Sequence, residues 1–70
     1  MERQSVDSSN IASIGYDAAT QTLEVEFKNG GLYEYVGVPG NVYTDLMNAS
    51  SHGSFLYHNI RNVYEFHKLT

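Results

Sequence analysis

The stretch Thr22-Leu23-Glu24-Val25-Glu26-Phe27-Lys28-Asn29-Gly30-Gly31-Leu32-Tyr33-Glu34-Tyr35 decides the fold. Leu23, Val25 and Phe27 alternate with Glu24, Glu26 and Lys28, the period of two that gives a strand one buried and one wet face. Asn29-Gly30-Gly31 follows at once. Both residue types tolerate positive φ, so the chain turns back as a hairpin. Loop length then decides which side chains of the returning strand are buried, because a slip of one residue inverts its faces. A two-residue Asn-Gly loop sets Glu34 beside Val25 on the core face. A three-residue loop pairs Lys28 with Leu32, and so sets Tyr33 opposite Phe27 and Tyr35 opposite Val25. The second is preferred, since an unpartnered buried carboxylate is costly whereas cross-strand aromatic pairs stabilise.

Working outward, Ile11 to Tyr16 carries β-formers, with Ala12, Ile14 and Tyr16 on one face. Asp17 to Gln21 reads as a turn that the Asp17 side chain supports. Residues 1–7 are polar and unpatterned and are expected to be a flexible lead-in to a domain spanning 8–70. The third strand ends near Val36-Gly37. Pro39 then suits the first turn of a helix that places Val42, Tyr43, Leu46 and Ala49 at helical spacing. Ser50-Ser51-His52-Gly53 breaks that helix, and Phe55 to Arg61 reads as a second, short one with Leu56 and Ile60 facing the core. From Val63 to Leu69, Tyr64 and Phe66 alternate with Glu65 and His67, which fits an extended segment along the sheet. The expected fold is α+β: a three-stranded antiparallel β-meander covered on one face by a helix and a short C-terminal helix.

A chain of 70 residues holds one domain, and 41% hydrophobic against 17% charged residues places it with globular proteins. Cysteine is absent, which excludes disulfides and thiolate metal sites. The N-terminal residues lack the apolar run of a signal peptide, and no stretch is long enough to span a bilayer. A cytoplasmic location without membrane contact is therefore expected. The net charge of −4 is unevenly spread. Over residues 1–50, Arg3 and Lys28 face seven carboxylates, whereas over residues 51–70 Arg61 and Lys68 face only Glu65, and all three histidines lie in this second stretch. An acidic chain lacks the footprint of a general nucleic-acid binder, so any such binding falls to the C-terminal third.

The ordered residues Ser8-Ser9-x-Ile11, Ile14-Gly15-Tyr16, Leu23-x-Val25-x-Phe27, Gly30, Tyr33-x-Tyr35, Val38-Pro39, Val42-Tyr43, Leu46-x-x-Ala49, Ser51-x-Gly53 and Ile60-Arg61 resemble the KTSC domain. That family takes its name from the C-terminus of certain lysyl-tRNA synthetases and also occurs as a stand-alone protein. The resemblance implies a domain of unknown function with a suggested role in RNA binding.

Each residue that stands out has a second, structural reading. Tyr33 and Tyr35 either form a platform on which unpaired bases stack, or belong to the core beneath the helix, and the core reading is favoured. Pro39 and Ile60, like this tyrosine pair, are read as structural parts of the family pattern. Arg61 either holds a phosphate or carboxylate with its fork of donors, or pairs with a nearby acid. His52, His58 and His67 lack metal-ligand spacing, and no acid completes a set. No serine sits in a nucleophile elbow, Glu24 and Glu26 share a wet face, and Gly30-Gly31 opens no helix. Neither a catalytic role nor a cofactor or metal is expected. What is expected is a non-catalytic module. It either binds RNA through Tyr57, His58, Arg61 and Lys68, or engages a protein partner or a second copy of itself through an exposed strand edge or an apolar patch of the last segment.

Overall fold

The computed structural model describes residues 2–70. Five strands form one antiparallel sheet in sequence order: β1 (Arg3–Ser5), β2 (Ile11–Asp17), β3 (Thr22–Phe27), β4 (Leu32–Val36) and β5 (Phe66–Lys68). Helices α1 (Gly40–Asn48) and α2 (His52–Asn59) stand between β4 and β5 in the chain. The architecture is α+β, and the expected three-stranded meander is the centre of a five-stranded one. Arg3–Ser5, within the expected lead-in, pairs with β2 through Arg3↔Gly15 and Ser5↔Ser13. Phe66–Lys68 pairs with β4 through Tyr33↔Lys68 and Tyr35↔Phe66. Each added strand is only three residues long and lies at an exposed edge of the sheet. Strand β1 has no alternation to mark it, whereas β5 falls within the extended segment expected over residues 63–69.

The central hairpin keeps the expected faces in a different register. Leu23 lies opposite Tyr35, Val25 opposite Tyr33 and Glu24 opposite Glu34. The loop has three residues, but they are Lys28-Asn29-Gly30 rather than Asn29-Gly30-Gly31. The Phe27 N–H donates to the Gly31 carbonyl at 2.8 Å, and the Gly30 N–H donates to the Phe27 carbonyl at 2.9 Å. A loop of this kind is a tight turn closed by one left-handed residue, and Gly30 supplies it with φ of +98°. Two glycines in succession leave the sequence ambiguous as to which one takes that position. The side chain of Asn29 accepts from the Gly31 N–H at 3.0 Å and fixes the choice.

Strand β2 holds a further correction. The pairing shifts between Ile11 and Ser13, a bulge that turns Ile11 onto the core face opposite Phe27. Ile11 is wholly buried while Ala12 is only half-buried, the reverse of strict alternation. Just before the strand, the Ser8 hydroxyl accepts from the N–H groups of Asn10 and Ile11. The serine thus shapes the entry to the strand.

Pro39 stands immediately before α1, where its carbonyl accepts from Val42 and Tyr43. The break between the helices is shorter than expected. Helix α2 begins at His52, because the Ser51 hydroxyl accepts from the Ser54 N–H at 3.2 Å and caps it. His52 serves both helices, its Nδ1–H donating to the Leu46 carbonyl at 2.9 Å at the end of α1. Leu46, Leu56 and Ile60 close the core over Ile14, Leu23 and Val25, all but Leu56 without any exposed surface. Tyr16 of β2 and Tyr43 of α1 stack with centroids 4.6 Å apart and planes 7° from parallel. The Tyr16 hydroxyl donates to the Val38 carbonyl, so one side chain ties the sheet to the start of the helical layer.

Tyr35 is only 3% exposed and belongs to the core cluster, whereas Tyr33 is half-buried beside it. Replacing Tyr35 with alanine removes a ring packed under the helical layer. The expected loss is about 3–5 kcal/mol of unfolding free energy, read by urea denaturation. A loss below about 1 kcal/mol would place the ring outside the cooperative core.

Candidate functional site

Strand β5 has period two, so Phe66 and Lys68 face the helical side and His67 faces the wet side. Phe66 packs against both tyrosines of β4, with centroids 5.9 Å from Tyr33 and 5.8 Å from Tyr35. Tyr33 in turn meets the edge of Phe27 at 5.5 Å and 88°. The four rings form a continuous aromatic floor. Helix α2 stops short of covering it, which leaves a cleft of about 560 Å³. Tyr57, His58 and Arg61 line the helical wall, and Asn10, Asn29 and Ser54 add polar groups around it.

Three of the four residues singled out for binding therefore meet at one place. Lys68 lies in an adjoining hollow of about 330 Å³, next to Tyr33, which lines both. The guanidinium of Arg61 sits 5.4 Å from the centre of the Tyr57 ring, within cation–π range. Ion pairs among the described residues join Arg3 to Glu24 and His67 to Glu34 and Glu65, so neither Arg61 nor Lys68 has a carboxylate within pairing distance. Its charge is nevertheless felt inside the cleft. Burial pushes the Tyr35 hydroxyl above its usual pKa, and the positive charge of Arg61 opposes that rise. No Asp or Glu lines either hollow.

The acids lie elsewhere. Across the wet face, Arg3, Gly15, Glu24, Glu34 and His67 occupy one row through all five strands. Glu24 and Glu34 stand directly opposite each other, an unfavourable pair taken alone. Arg3 on one edge strand binds Glu24 and also donates from Nε to the Ser13 hydroxyl at 3.0 Å. His67 on the other edge strand reaches Glu34 with Nδ1 at 3.4 Å and Glu65 with Nε2 at 3.0 Å. Both ring nitrogens can donate only in the imidazolium form, so this arrangement suits the protonated ring.

Sequence reasoning gave Phe66, Phe27, Asn10 and Asn29 no part in a site. Phe66 and Lys68 could be set on one side by their spacing, but only the pairing of β5 with β4 brings them to the tyrosines. In the sequence Asn29-Gly30-Gly31 signals only a turn, and the place of Asn29 in the lining of the cleft depends on the hairpin register. Among the described residues no three His, Asp or Glu side chains gather as a metal site, and no helix is long and apolar enough to cross a membrane.

The fold and cleft define a small α+β domain that presents an acid-free aromatic pocket on the helical side of its sheet. The model of the KTSC domain matches residues 7–64, and the chain belongs to that family. A crystal structure of a KTSC domain protein from Yersinia pestis superposes with a TM-score of 0.95 at 39% identity, covering 99% of this chain and 97% of that one. An uncharacterized protein of Stutzerimonas stutzeri is 47% identical over 53 residues, 76% of this chain and 75% of its own length. A lysine–tRNA ligase of Nostoc punctiforme is 39% identical over 64 residues, 91% of this chain but 11% of the ligase. The likeness to that enzyme is thus confined to a small part of its length.

The two carboxylates raise the pKa of His67 above its usual 6.5, through the hydrogen bond to Glu34 first and that to Glu65 second. A raised folded-state pKa adds stability that is fully present below about pH 6.5 and is lost as pH rises through the folded value. The midpoint of the His67 ring-proton titration is expected above that of free histidine, and Glu34→Gln should lower it. His67→Gln should cost stability at about pH 6 and become neutral at about pH 9. A midpoint unchanged by Glu34→Gln would exclude the contact in solution.

Proposed function

We propose that this protein is a non-catalytic RNA-binding module whose site is the cleft between α2 and the aromatic floor of β3, β4 and β5. The observation that carries the reading is the combination of four clustered rings with an unpaired Arg61 and no carboxylate in the lining. Unpaired bases stack on aromatic side chains in a way that tolerates any sequence, and an arginine adds both cation–π and phosphate contacts. Glu24 and Glu34 are held in the row on the opposite sheet face, and no Asp or Glu lines the cleft, so a bound phosphate meets no carboxylate there. A matching segment within proteins named for joining lysine to tRNA agrees with an RNA ligand. A cytoplasmic setting fits such a role.

A second reading, as a protein-interaction or self-associating module, rests on the edge strand β5 and on Val63, Phe66 and Leu69, apolar residues 44–63% exposed. The two make different predictions in solution. RNA binding requires chemical-shift changes at Tyr33, Tyr57, Arg61 and Phe66 when a short mixed-sequence single strand is added at low salt, diminishing as salt rises. Absence of any response at low salt overturns it. Sedimentation at rising protein concentration tests the second reading: self-association requires the apparent mass to increase, and a constant monomer mass leaves only the form with a different protein as partner.

A further inference from the structure

The cleft differs from the surfaces that follow a long nucleic acid. Such surfaces are tracks of positive charge, because affinity for a polyanion grows with each phosphate neutralised. This chain has four lysines and arginines in all. Arg3 is taken up by Glu24 on the opposite face of the sheet, and Lys28 lines neither hollow. That leaves Arg61 in the cleft and Lys68 in the hollow beside it. The cleft itself, at about 560 Å³, lies in the range of pockets that enclose small ligands, roughly 300–1,000 Å³. Its walls divide by chemistry: rings from the sheet on one side, the guanidinium with Tyr57 and His58 on the other.

We propose that the cleft holds one unpaired nucleotide, its base against the rings of Tyr33 and Phe66 and its phosphate on Arg61. Lys68 is then placed for the phosphate of the adjoining nucleotide and for no further one. The inference rests on the RNA reading and narrows it, since the ligand is a bulged, flipped or terminal nucleotide rather than a duplex or an extended strand. A base within a duplex shows its edges and keeps its faces stacked, so it offers the rings nothing. An unpaired base exposes both faces. Gly31 lies close beneath the same ring: a Cβ there would come 3.2 Å from Tyr33 and 3.3 Å from the Asn29 side-chain oxygen, so both would have to give by a few tenths of an ångström.

The test uses the full chain with nucleoside 5′-monophosphates, the corresponding nucleosides, and two RNA hairpins that differ by one bulged nucleotide. The monophosphates should perturb Tyr33, Tyr35, Arg61 and Phe66 resonances in a saturable way. The bulged hairpin should bind, and the fully paired one should bind about tenfold more weakly or not at all. For single-stranded sites the slope of log K against log salt is about −0.7 per phosphate, so a slope between about −0.7 and −1.4 is expected. Arg61→Gln should weaken monophosphate binding about tenfold while changing nucleoside binding less than about twofold. Tyr57→Ala, on an exposed ring, provides a second variant that leaves the core intact. A slope of about −3 or steeper, or equal binding of the two hairpins, overturns the single-nucleotide footprint and leaves the RNA reading standing. Binding of monophosphates without binding of either hairpin supports the pocket and overturns the RNA reading. No response to either ligand overturns both.

Discussion

The pairing of β3 with β4 constrains everything else in this molecule. Gly30 alone in its loop takes a left-handed conformation, and this closes the hairpin on Phe27 and Gly31. From that closure the register runs down the strands, setting Val25 against Tyr33 and Leu23 against Tyr35. One residue of slip would send both tyrosines to the wet face and bring Glu34 into the core, which would unseat the helical layer. The aromatic floor, the docking of β5 and the position of the cleft all inherit this register.

The same register brings Glu24 and Glu34 face to face, a conflict that the sheet resolves at its edges. Arg3 and His67 come from the two three-residue strands and neutralise the pair from either side. Ion pairs near the surface are individually weak, because water screens them and ordering the side chains costs entropy. Their effect here is positional as much as energetic. They tie short edge strands to the centre of the sheet, and they relieve the repulsion between the two facing carboxylates.

The proposed site, taking one base and one or two phosphates, would be a weak site by itself. Stacking contributes about 1–3 kcal/mol per base, and a dissociation constant of 1 mM already requires about 4 kcal/mol. Such a module is most effective when joined to other binding surfaces, since linkage raises the effective concentration without adding a contact. The small core points the same way. Among the described residues seven large side chains are wholly withdrawn from solvent, a small core of the kind that gains from being joined to a partner or a larger chain.

Local rules read along the chain were enough for much of the fold. The alternation of Leu23, Val25 and Phe27, the glycines after Asn29, and the helical spacing of Val42, Tyr43 and Leu46 gave the central meander and first helix. The cost of burying Glu34 gave the correct face for the tyrosines. Tertiary structure decided the rest. The choice of Gly30 over Gly31, the bulge that buries Ile11, and the start of α2 at His52 each depend on hydrogen bonds that neighbouring residues supply only once folded. Strands β1 and β5 exist because an already formed sheet offers them an edge; the three residues of β1 have no pattern of their own to announce it, while the alternation over residues 63–69 announces an extended segment but not its partner strand. Tyr57, His58 and Arg61 could be named from their place in the charge distribution. Only the return of Phe66 to β4, some thirty residues after the tyrosines it touches, turned them into the wall of a cleft, because a pocket is made by contacts that are distant in sequence.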